Sequence, residues 1–180
     1  QEADEFFRTT CGLAPIHDNH PAIEIVVDDP SPRRRNCAAW IPGTCRVHVG
    51  IADKTSFQSS LTNVDTMTHE LGHAITHYFS SMWMTYGQTK ALNETTSDIF
   101  AVTAQHKRNN TPADKANWNF AEGSLIGATE GSSLRSLSSP GAAFKGHKVL
   151  GDDGQVAHMD NYVSDVWGMF ELKKMQWSRN

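Results

Sequence analysis

The first 63 residues contain short runs of apolar and β-branched residues between clusters of proline, aspartate and glycine. Two of these runs, Ala22–Val27 and Arg46–Ile51, predict β-strands because they are short and bounded by turn residues. From residue 64 the apolar positions recur every three or four residues, which is the spacing of one helix face. This stripe predicts a helix over 64–80. Its apolar positions are Val64, Met67, Leu71, Ala74, Ile75 and Tyr78.

Two further helices are predicted downstream. Ala91–His106 repeats the helical spacing, and a last amphipathic helix is predicted from about His158 to Lys174. Between them, residues 109–157 are rich in Asn, Gly, Ser and Pro, which is typical of a loop region.

The change of pattern near residue 64 predicts an α+β fold in a single domain, 1–180. A small β-rich lobe covers 1–63, and a mostly helical lobe covers 64–180. No internal repeat or long linker divides the chain further.

Composition narrows the class of protein. With 180 residues, of which 38% are hydrophobic, the chain is long enough to form a core, and no segment approaches the ~20 apolar residues of a membrane span. The 16 basic and 20 acidic residues give a net charge of −4, which argues against a nucleic-acid platform. We therefore expect a monomer that binds neither membranes nor nucleic acid. Nine histidines are the unusual feature of the composition.

The three cysteines are Cys11, Cys37 and Cys45, and they form no CxxC metal pattern. Cys37 and Cys45 flank a turn signal at 40–44, which predicts a disulfide across a hairpin and an oxidising compartment. The alternative is three buried, reduced thiols. The chain begins at Gln1 without an apolar signal stretch, so a targeting segment was removed or was never in this sequence.

The candidate chemistry is concentrated in the HExxH motif of the helix predicted over 64–80. Residues four apart share one helix face, so His69 and His73 can present two imidazole nitrogens to one ion, with Glu70 beside them. This pattern predicts a zinc site. The alternative is a helix with two histidines whose hydrogen bonds are satisfied within the protein.

Three candidates compete for the third zinc ligand. His77 would lie about 12 Å from His69 along the helix, too far to share one ion. The longer HExxHxxGxxH pattern fails, because Thr76 and Phe79 stand at its Gly and His positions. Glu94, on the next predicted helix, remains as the third ligand.

Asp98 follows Glu94 by one helical turn and lies on the same face. Because metal-bound histidines usually donate their other ring N–H to a carboxylate, Asp98 is predicted to orient His69. The alternatives are a solvated helix face at Asn93 and Glu94, and a local hydrogen-bonded pair of Ser97 and Asp98.

With these residues in place, the chain resembles the thermolysin family of secreted zinc endopeptidases. The similarity lies in three stretches, 68–76, 91–100 and 134–140. It implies a minimal core in which a β-rich part with an edge strand lies over a helical zinc-binding part. It also implies a shortened member, since chains of this family extend further on both sides of the core.

The resemblance assigns roles to the motif residues. It implies His69, His73 and Glu94 as zinc ligands, Glu70 as the base that activates water, and Asp98 as the carboxylate that orients His69.

Further catalytic groups come from weaker similarity. Asp153 and His158 have the spacing of the family's carboxylate and the histidine that hydrogen-bonds the tetrahedral intermediate, with a surface histidine as the alternative. Tyr86 resembles the tyrosine that assists the same oxyanion, and its alternative is a packed aromatic residue.

The resemblance also implies substrate-binding residues. Asn36 and Ala38 belong to the edge strand that pairs with substrate backbone, and Arg135 matches an arginine that binds a substrate carbonyl. Phe57 and Leu134 predict an apolar pocket for the residue after the scissile bond (the S1′ pocket).

Calcium is where the chain departs most from the family. Of the matching positions only Asp65 and Glu122 are acidic, and calcium affinity falls with the charge of its ligands. We therefore predict at most one weak calcium site and a low dependence on calcium.

The sequence thus predicts a secreted zinc endopeptidase that acts on peptides or proteins before bulky apolar residues. Two alternatives remain open: a zinc-stabilised binding module without catalysis, and a narrow-specificity effector hydrolase acting on one protein or on a cell-wall peptide.

Overall fold

The computed structural model describes residues 1–13, 22–80, 82, 87–127 and 131–162. The helices are α1 (Glu2–Thr9), α2 (Val64–Phe79) and α3 (Gly87–Arg108). The strands are β1 (Glu24–Asp29), β2 (Ala38–Ile41), β3 (Arg46–Gly50), β4 (Asn119–Phe120) and β5 (Arg135–Ser136). Short 3-10 turns cover Ala113–Lys115 and Met159–Asn161. This α+β content confirms the predicted fold class, and none of the described helices is long and apolar enough to cross a membrane.

β1, β3 and β2 form one sheet, in that order. β1 runs parallel to β3, and β2 pairs antiparallel with β3 in a register that places Trp40 opposite Val47. These strands confirm the two runs predicted from the sequence, with shifts of one or two residues at their ends. β2 is therefore an edge strand of the described sheet, and it lies next to α2.

The hairpin register separates the two cysteines that flank the turn. The carbonyl of Cys37 accepts from the Gly50 N–H at 2.8 Å, whereas Cys45 lies at the turn end of the hairpin. At about 3.3 Å per residue, the two positions are well beyond the roughly 7 Å between Cα atoms that a disulfide tolerates. The Cys37 thiol donates to the Arg34 carbonyl at 3.0 Å, and Cys45 Sγ lies 3.4 Å from the Tyr78 hydroxyl. The predicted disulfide is wrong, and all three thiols are free.

The helices α2 and α3 pack against each other and contain the chemistry. The Asn63 side chain caps α2 by accepting from the Thr66 N–H at 2.8 Å. Gly72 allows the close approach, because a Cβ at this position would lie 3.0 Å from the Ser97 backbone of α3. Two successive turns of α2 are thereby held against the middle of α3.

The core lies between the sheet, α1 and the helix pair. Its largest fully buried apolar side chains are Phe7, Trp40, Val47, Val49, Phe57 and Val102. Phe7 comes from α1, a helix that the sequence analysis did not predict, and its ring meets Phe100 of α3 edge to face at 5.0 Å. Of the helix predicted from His158 to Lys174, only residues 158–162 lie within the described residues.

Candidate metal centre

Three donor side chains meet between α2 and α3. His69 and His73 project from successive turns of α2, and Glu94 projects from α3. Their ligand atoms all lie within 4.8 Å of one another. Glu94 Oε2 is 3.3 Å from His69 Nε2 and 3.7 Å from His73 Nε2. The sequence predicted these three residues, and the structure brings them together.

These residues fit a zinc ion. Two imidazoles and a carboxylate are a common zinc donor set, and tetrahedral bonds near 2 Å place ligand atoms about 3.3 Å apart. Both histidines are almost fully buried, and within the described residues Glu94 Oε1 is a buried oxygen without a hydrogen-bond partner. A buried carboxylate oxygen of this kind is stabilised by a cation. We therefore describe the three side chains as the metal triad.

His69 is oriented by a chain of charged groups. Its Nδ1 lies 2.7 Å from Asp98 Oδ1, as the sequence predicted. Asp98 in turn accepts from Arg135 Nε at 2.6 Å and from Arg135 Nη2 at 2.7 Å. The Arg135 guanidinium stacks over the Phe120 ring, 4.4 Å from its centroid. Asp98 is thus fixed from two sides and holds His69 in one orientation.

His73 is oriented by neutral groups that the sequence analysis missed. Its Nδ1 lies 2.7 Å from Asn93 Oδ1 and 3.1 Å from Ser97 Oγ. Asn93 is fully buried, and its amide donates to the Met82 carbonyl at 2.9 Å. The rule that pointed to Asp98 requires an acceptor for the second histidine as well. The sequence signal that could have identified Asn93 as this acceptor is its position next to Glu94.

In the metal-free site, burial and the neighbouring charged groups shift the pKa values of both histidines and of Asp98. Burial alone lowers the pKa of His69, but the Asp98 carboxylate and then Glu94 raise it to about 10. Burial and the nearby His69 charge lower the pKa of His73. Although burial raises the pKa of Asp98, the Arg135 guanidinium holds it well below its usual range. A metal ion entering the triad must therefore displace a proton from His69.

Glu70 lies beside the triad and is tied to the edge strand. It is 5% exposed, and its Oε2 accepts a hydrogen bond from the Trp40 N–H of β2 at 2.6 Å. The two residues are 30 positions apart in sequence, so spacing alone gave no sign of this contact.

A small cavity opens next to the triad. It is lined by Asn36, Cys37, Ala38, Leu61, Thr66, His69, Glu70, Glu94, Phe120, Leu134 and Arg135. Pairing of β4 with β5 places Phe120 opposite Arg135 at this wall. Metal donors, a carboxylate, an arginine and apolar side chains therefore face one cavity.

Two protein-family models match the chain. Residues 1–77 match the thermolysin metallopeptidase catalytic domain, and residues 83–173 match the thermolysin metallopeptidase alpha-helical domain. Together these matches cover nearly the whole chain.

The chain belongs to the thermolysin family of metallopeptidases.

Individual relatives agree with this assignment. An extracellular minor metalloprotease of Serratia marcescens is 38% identical over 96 residues, which are 52% of this chain and 27% of that protein. An extracellular metalloprotease of Pectobacterium carotovorum is 32% identical over 115 residues, 64% of this chain and 33% of that protein. The solved structure of the precursor of protealysin, a metalloproteinase from Serratia proteamaculans, matches with a TM-score of 0.79 and 27% identity, over 99% of this chain and 54% of that one. The matched regions thus cover about a third or less of the two curated extracellular proteases and about half of the protealysin precursor.

Four of the five substrate-binding residues implied by resemblance to the thermolysin family line the cavity, namely Asn36, Ala38, Leu134 and Arg135. Phe57 does not line it. Its side chain is fully buried in the core, and its backbone forms an isolated β-bridge with Leu125.

The oxyanion residues expected from the thermolysin family are not brought to the cavity among the described residues. His158 is exposed, and its Nδ1 accepts from the Asp160 N–H at 3.2 Å. Asp153 Oδ2 accepts from the N–H groups of Gly141 and Ala143, at 3.0 and 3.1 Å, and so ties a loop together. Tyr86 lies outside the described residues. The catalytic roles of these residues remain predictions.

Asp65 and Glu122, the two residues predicted for a weak calcium site, each accept a hydrogen bond from a side-chain amide. Gln105 Nε2 donates to Asp65 Oδ2 at 3.4 Å, and Asn117 Nδ2 donates to Glu122 Oε2. Burial raises the pKa of Asp65, and the neighbouring Glu122 raises it further. Calcium requires six to eight oxygen ligands, whereas amide N–H groups face these two carboxylates. The weak calcium site at Asp65 and Glu122 therefore stays a prediction.

Proposed function

We propose that this chain is a zinc-dependent endopeptidase that hydrolyses internal peptide bonds of peptides or proteins. One observation carries the proposal: the buried carboxylate of Glu70, which is not part of the metal triad, lines the same cavity as His69 and Glu94 and is anchored by β2. A structural zinc site has no use for such a group, because structural sites close all four metal positions with ligands.

His69, His73 and Glu94 would hold the zinc ion. Zinc bound there would supply a Lewis acid for the scissile carbonyl and lower the pKa of a nearby water. Asp98 and Asn93 keep the two imidazoles in the orientation that ligation needs. These are the contributions of the two helices.

Glu70 acts as the general base. It takes a proton from the attacking water and later passes that proton to the leaving amine. The hydrogen bond from the Trp40 N–H fixes one carboxylate oxygen and so orients the base. Because the bond comes from the edge strand, the position of the base is coupled to the strand on which the substrate docks.

The substrate backbone adds to the edge of β2. An edge strand offers unpaired N–H and C=O groups, and peptides commonly bind by extending such a sheet. Asn36 and Ala38 line the cavity at this edge. Arg135 uses Nε and Nη2 for Asp98, and its guanidinium lines the cavity, where it can donate to a substrate carbonyl.

The side chain after the scissile bond would enter the part of the cavity formed by Leu61, Phe120 and Leu134. All three are buried apolar residues, which supports the sequence-based expectation of an apolar pocket. We further propose that the protein is secreted, since two relatives are named extracellular metalloproteases.

Replacement of the base tests the proposal. Glu70→Gln keeps the shape of the side chain and should retain zinc, while hydrolysis of casein and insulin chain falls by several orders of magnitude. Zinc content by elemental analysis and turnover of both substrates, with and without a chelator, are the measurements. Glu5→Gln, on the exposed face of α1, is the matched control and should behave as the parent.

Each alternative has its own outcome. Casein cleavage by Glu70→Gln at the parent rate refutes the assignment of the base. A zinc-loaded parent that cleaves neither protein supports a binding module, and cleavage of peptidoglycan alone supports a dedicated cell-wall hydrolase.

A further inference from the structure

Three consecutive arginines lie in the turn over residues 32–36, between β1 and β2, which we call the arginine turn. Arg33, Arg34 and Arg35 are the longest basic run of a chain whose net charge is −4. The turn ends at Asn36 and continues into Cys37, and both of these residues line the cavity. A local concentration of positive charge therefore adjoins the candidate active site.

The backbone of the arginine turn is fixed against the sheet. The Arg34 carbonyl accepts from the N–H of Cys37 at 3.1 Å and from its thiol at 3.0 Å. Gly50 of β3 makes room for this carbonyl, because a Cβ at that position would overlap it. Asn36 closes the turn in the left-handed region, with a φ of 61°, and its N–H donates to the Ile51 carbonyl at 3.0 Å. The turn thus has a defined position at the edge of the cavity.

The three arginines differ in their partners. Arg34 Nε lies 3.2 Å from Asp29 Oδ2, so a carboxylate balances its charge. Arg33 and Arg35 are exposed, and neither forms an ion pair within the part of the chain that the structure describes. Successive Cα atoms are about 3.8 Å apart, so the Cα atoms of both residues lie within about 12 Å of that of Asn36. At 0.01 M salt the Debye length is about 30 Å, so both charges act on a peptide in the cavity.

The cavity lining indicates which part of a substrate meets the arginine turn. Asn36, Cys37 and Ala38 share the cavity with the apolar pocket proposed for the residue after the scissile bond. A peptide that extends the sheet along β2 therefore directs its chain beyond the scissile bond toward the turn. Arg35 precedes Ala38 by three residues, which corresponds to about 10 Å of extended chain. The second and third substrate residues after the scissile bond would lie closest to the turn.

On the basis of the proposed endopeptidase function, we propose that Arg33 and Arg35 make the enzyme selective for acidic residues two or three positions after the scissile bond. A guanidinium attracts a carboxylate by its charge and can donate two parallel hydrogen bonds to it. Lysine or arginine at the same substrate positions would be repelled. The substrate class is thus an acidic peptide or an acidic protein segment, and the pocket for the first residue after the bond remains apolar.

The test uses the zinc-loaded protein and internally quenched peptides built on a bond that it cleaves in casein or insulin chain. Three peptides carry Asp, Asn or Lys at the second and third positions after this bond, and a fourth carries Asp at the second and third positions before it. At 0.01 M salt we expect kcat/KM for the first peptide to exceed that for its Asn counterpart about fivefold, the upper value for an exposed ion pair. At 1 M salt, where the Debye length is about 3 Å, this Asp-to-Asn ratio should fall to about one.

Three double variants locate the effect. Arg33→Gln/Arg35→Gln should bring the Asp-to-Asn ratio at low salt to about one without changing zinc content, because neither arginine belongs to the metal triad. Arg33→Lys/Arg35→Lys keeps both charges and should retain most of the ratio. Lys107→Gln/Lys115→Gln removes the same charge from exposed positions and should leave the ratio unchanged. Lys107 lies 13 residues beyond Glu94 on α3, about 20 Å along the helix.

The outcomes separate this proposal from the proposed function. If the parent cleaves neither casein, insulin chain nor any of the peptides, the endopeptidase function fails. If it cleaves the peptides with an Asp-to-Asn ratio at or below one at 0.01 M salt, or with a ratio that salt does not change, the role of the arginine turn is refuted. An unchanged ratio in folded Arg33→Gln/Arg35→Gln, or a preference only for Asp before the bond, refutes it as well. If that variant does not fold, the salt series on the parent and the lysine variant decide.

Discussion

Removing the Asn93 side chain should weaken zinc binding without touching a ligand. Asn93 Oδ1 lies 2.7 Å from His73 Nδ1 and accepts from Thr76 Oγ1 at 2.9 Å, while its amide donates to the Met82 carbonyl. In Asn93→Ala all three contacts disappear at a fully buried position. The imidazole of His73 then loses its shortest hydrogen-bond contact.

The structure sets the size of the effect. Loss of a partner that orients a metal-binding histidine costs 10–100-fold in metal affinity, or about 1.4 to 2.8 kcal/mol. Ser97 Oγ remains 3.1 Å from the same nitrogen, so we expect a value near the lower limit, roughly tenfold. The metal-free protein should also lose about 1 to 3 kcal/mol of stability, because buried polar groups are left unpaired.

Zinc affinity would be measured by competition with a chromogenic chelator, and stability by thermal unfolding with and without zinc. Asn109→Ala, at an exposed asparagine just beyond α3, is the matched control. Zinc affinity reports on how well His73 is positioned, whereas thermal stability reports on the packing of the buried site. If the stability of Asn93→Ala falls while its zinc affinity stays within about twofold of the parent, the hydrogen bond has no role in presenting His73, and the reasoning is refuted.

Two further predictions concern acid stability and calcium. Burial raises the pKa of Asp53, but hydrogen bonds from the Ser56 and Thr55 N–H groups hold it well below its usual range. This stabilisation is complete above roughly pH 4 and is lost as the pH falls toward the folded-state pKa. Asp53→Asn should therefore lower Tm at pH 7, with the difference closing toward pH 3; a constant difference would contradict this. Because amide groups pair with Asp65 and Glu122, selective calcium removal with zinc retained should leave Tm unchanged, and a large drop would show that calcium binds.

Local patterns predicted the elements that carry the chemistry. The apolar stripe over 64–80 became α2, because helical periodicity is a property of consecutive residues. The pairing of His69 with Asp98 could also be predicted, because a metal-bound histidine usually donates its second ring N–H to a carboxylate. By contrast, α1 was missed, although it contributes Phe7 to the core.

Strand pairing could not be predicted from the sequence in the same way. Turn residues indicated a hairpin between Cys37 and Cys45, but the register decided which residues face each other. If the register of β2 against β3 shifts by a few positions, every cross-strand pair changes. Nothing in the sequence near either cysteine indicates which register forms. The predicted disulfide failed for this reason.

The sequence by itself predicted the metal triad and the two helices that carry it, because helix geometry places His69 and His73 on one face and Glu94 was the candidate on the next helix. Only the tertiary structure decided how the site is supported. The bond from the Trp40 N–H to Glu70 and the pair of Arg135 with Asp98 join residues 30 and 37 positions apart. Such contacts depend on how strands and helices pack, which no local spacing encodes.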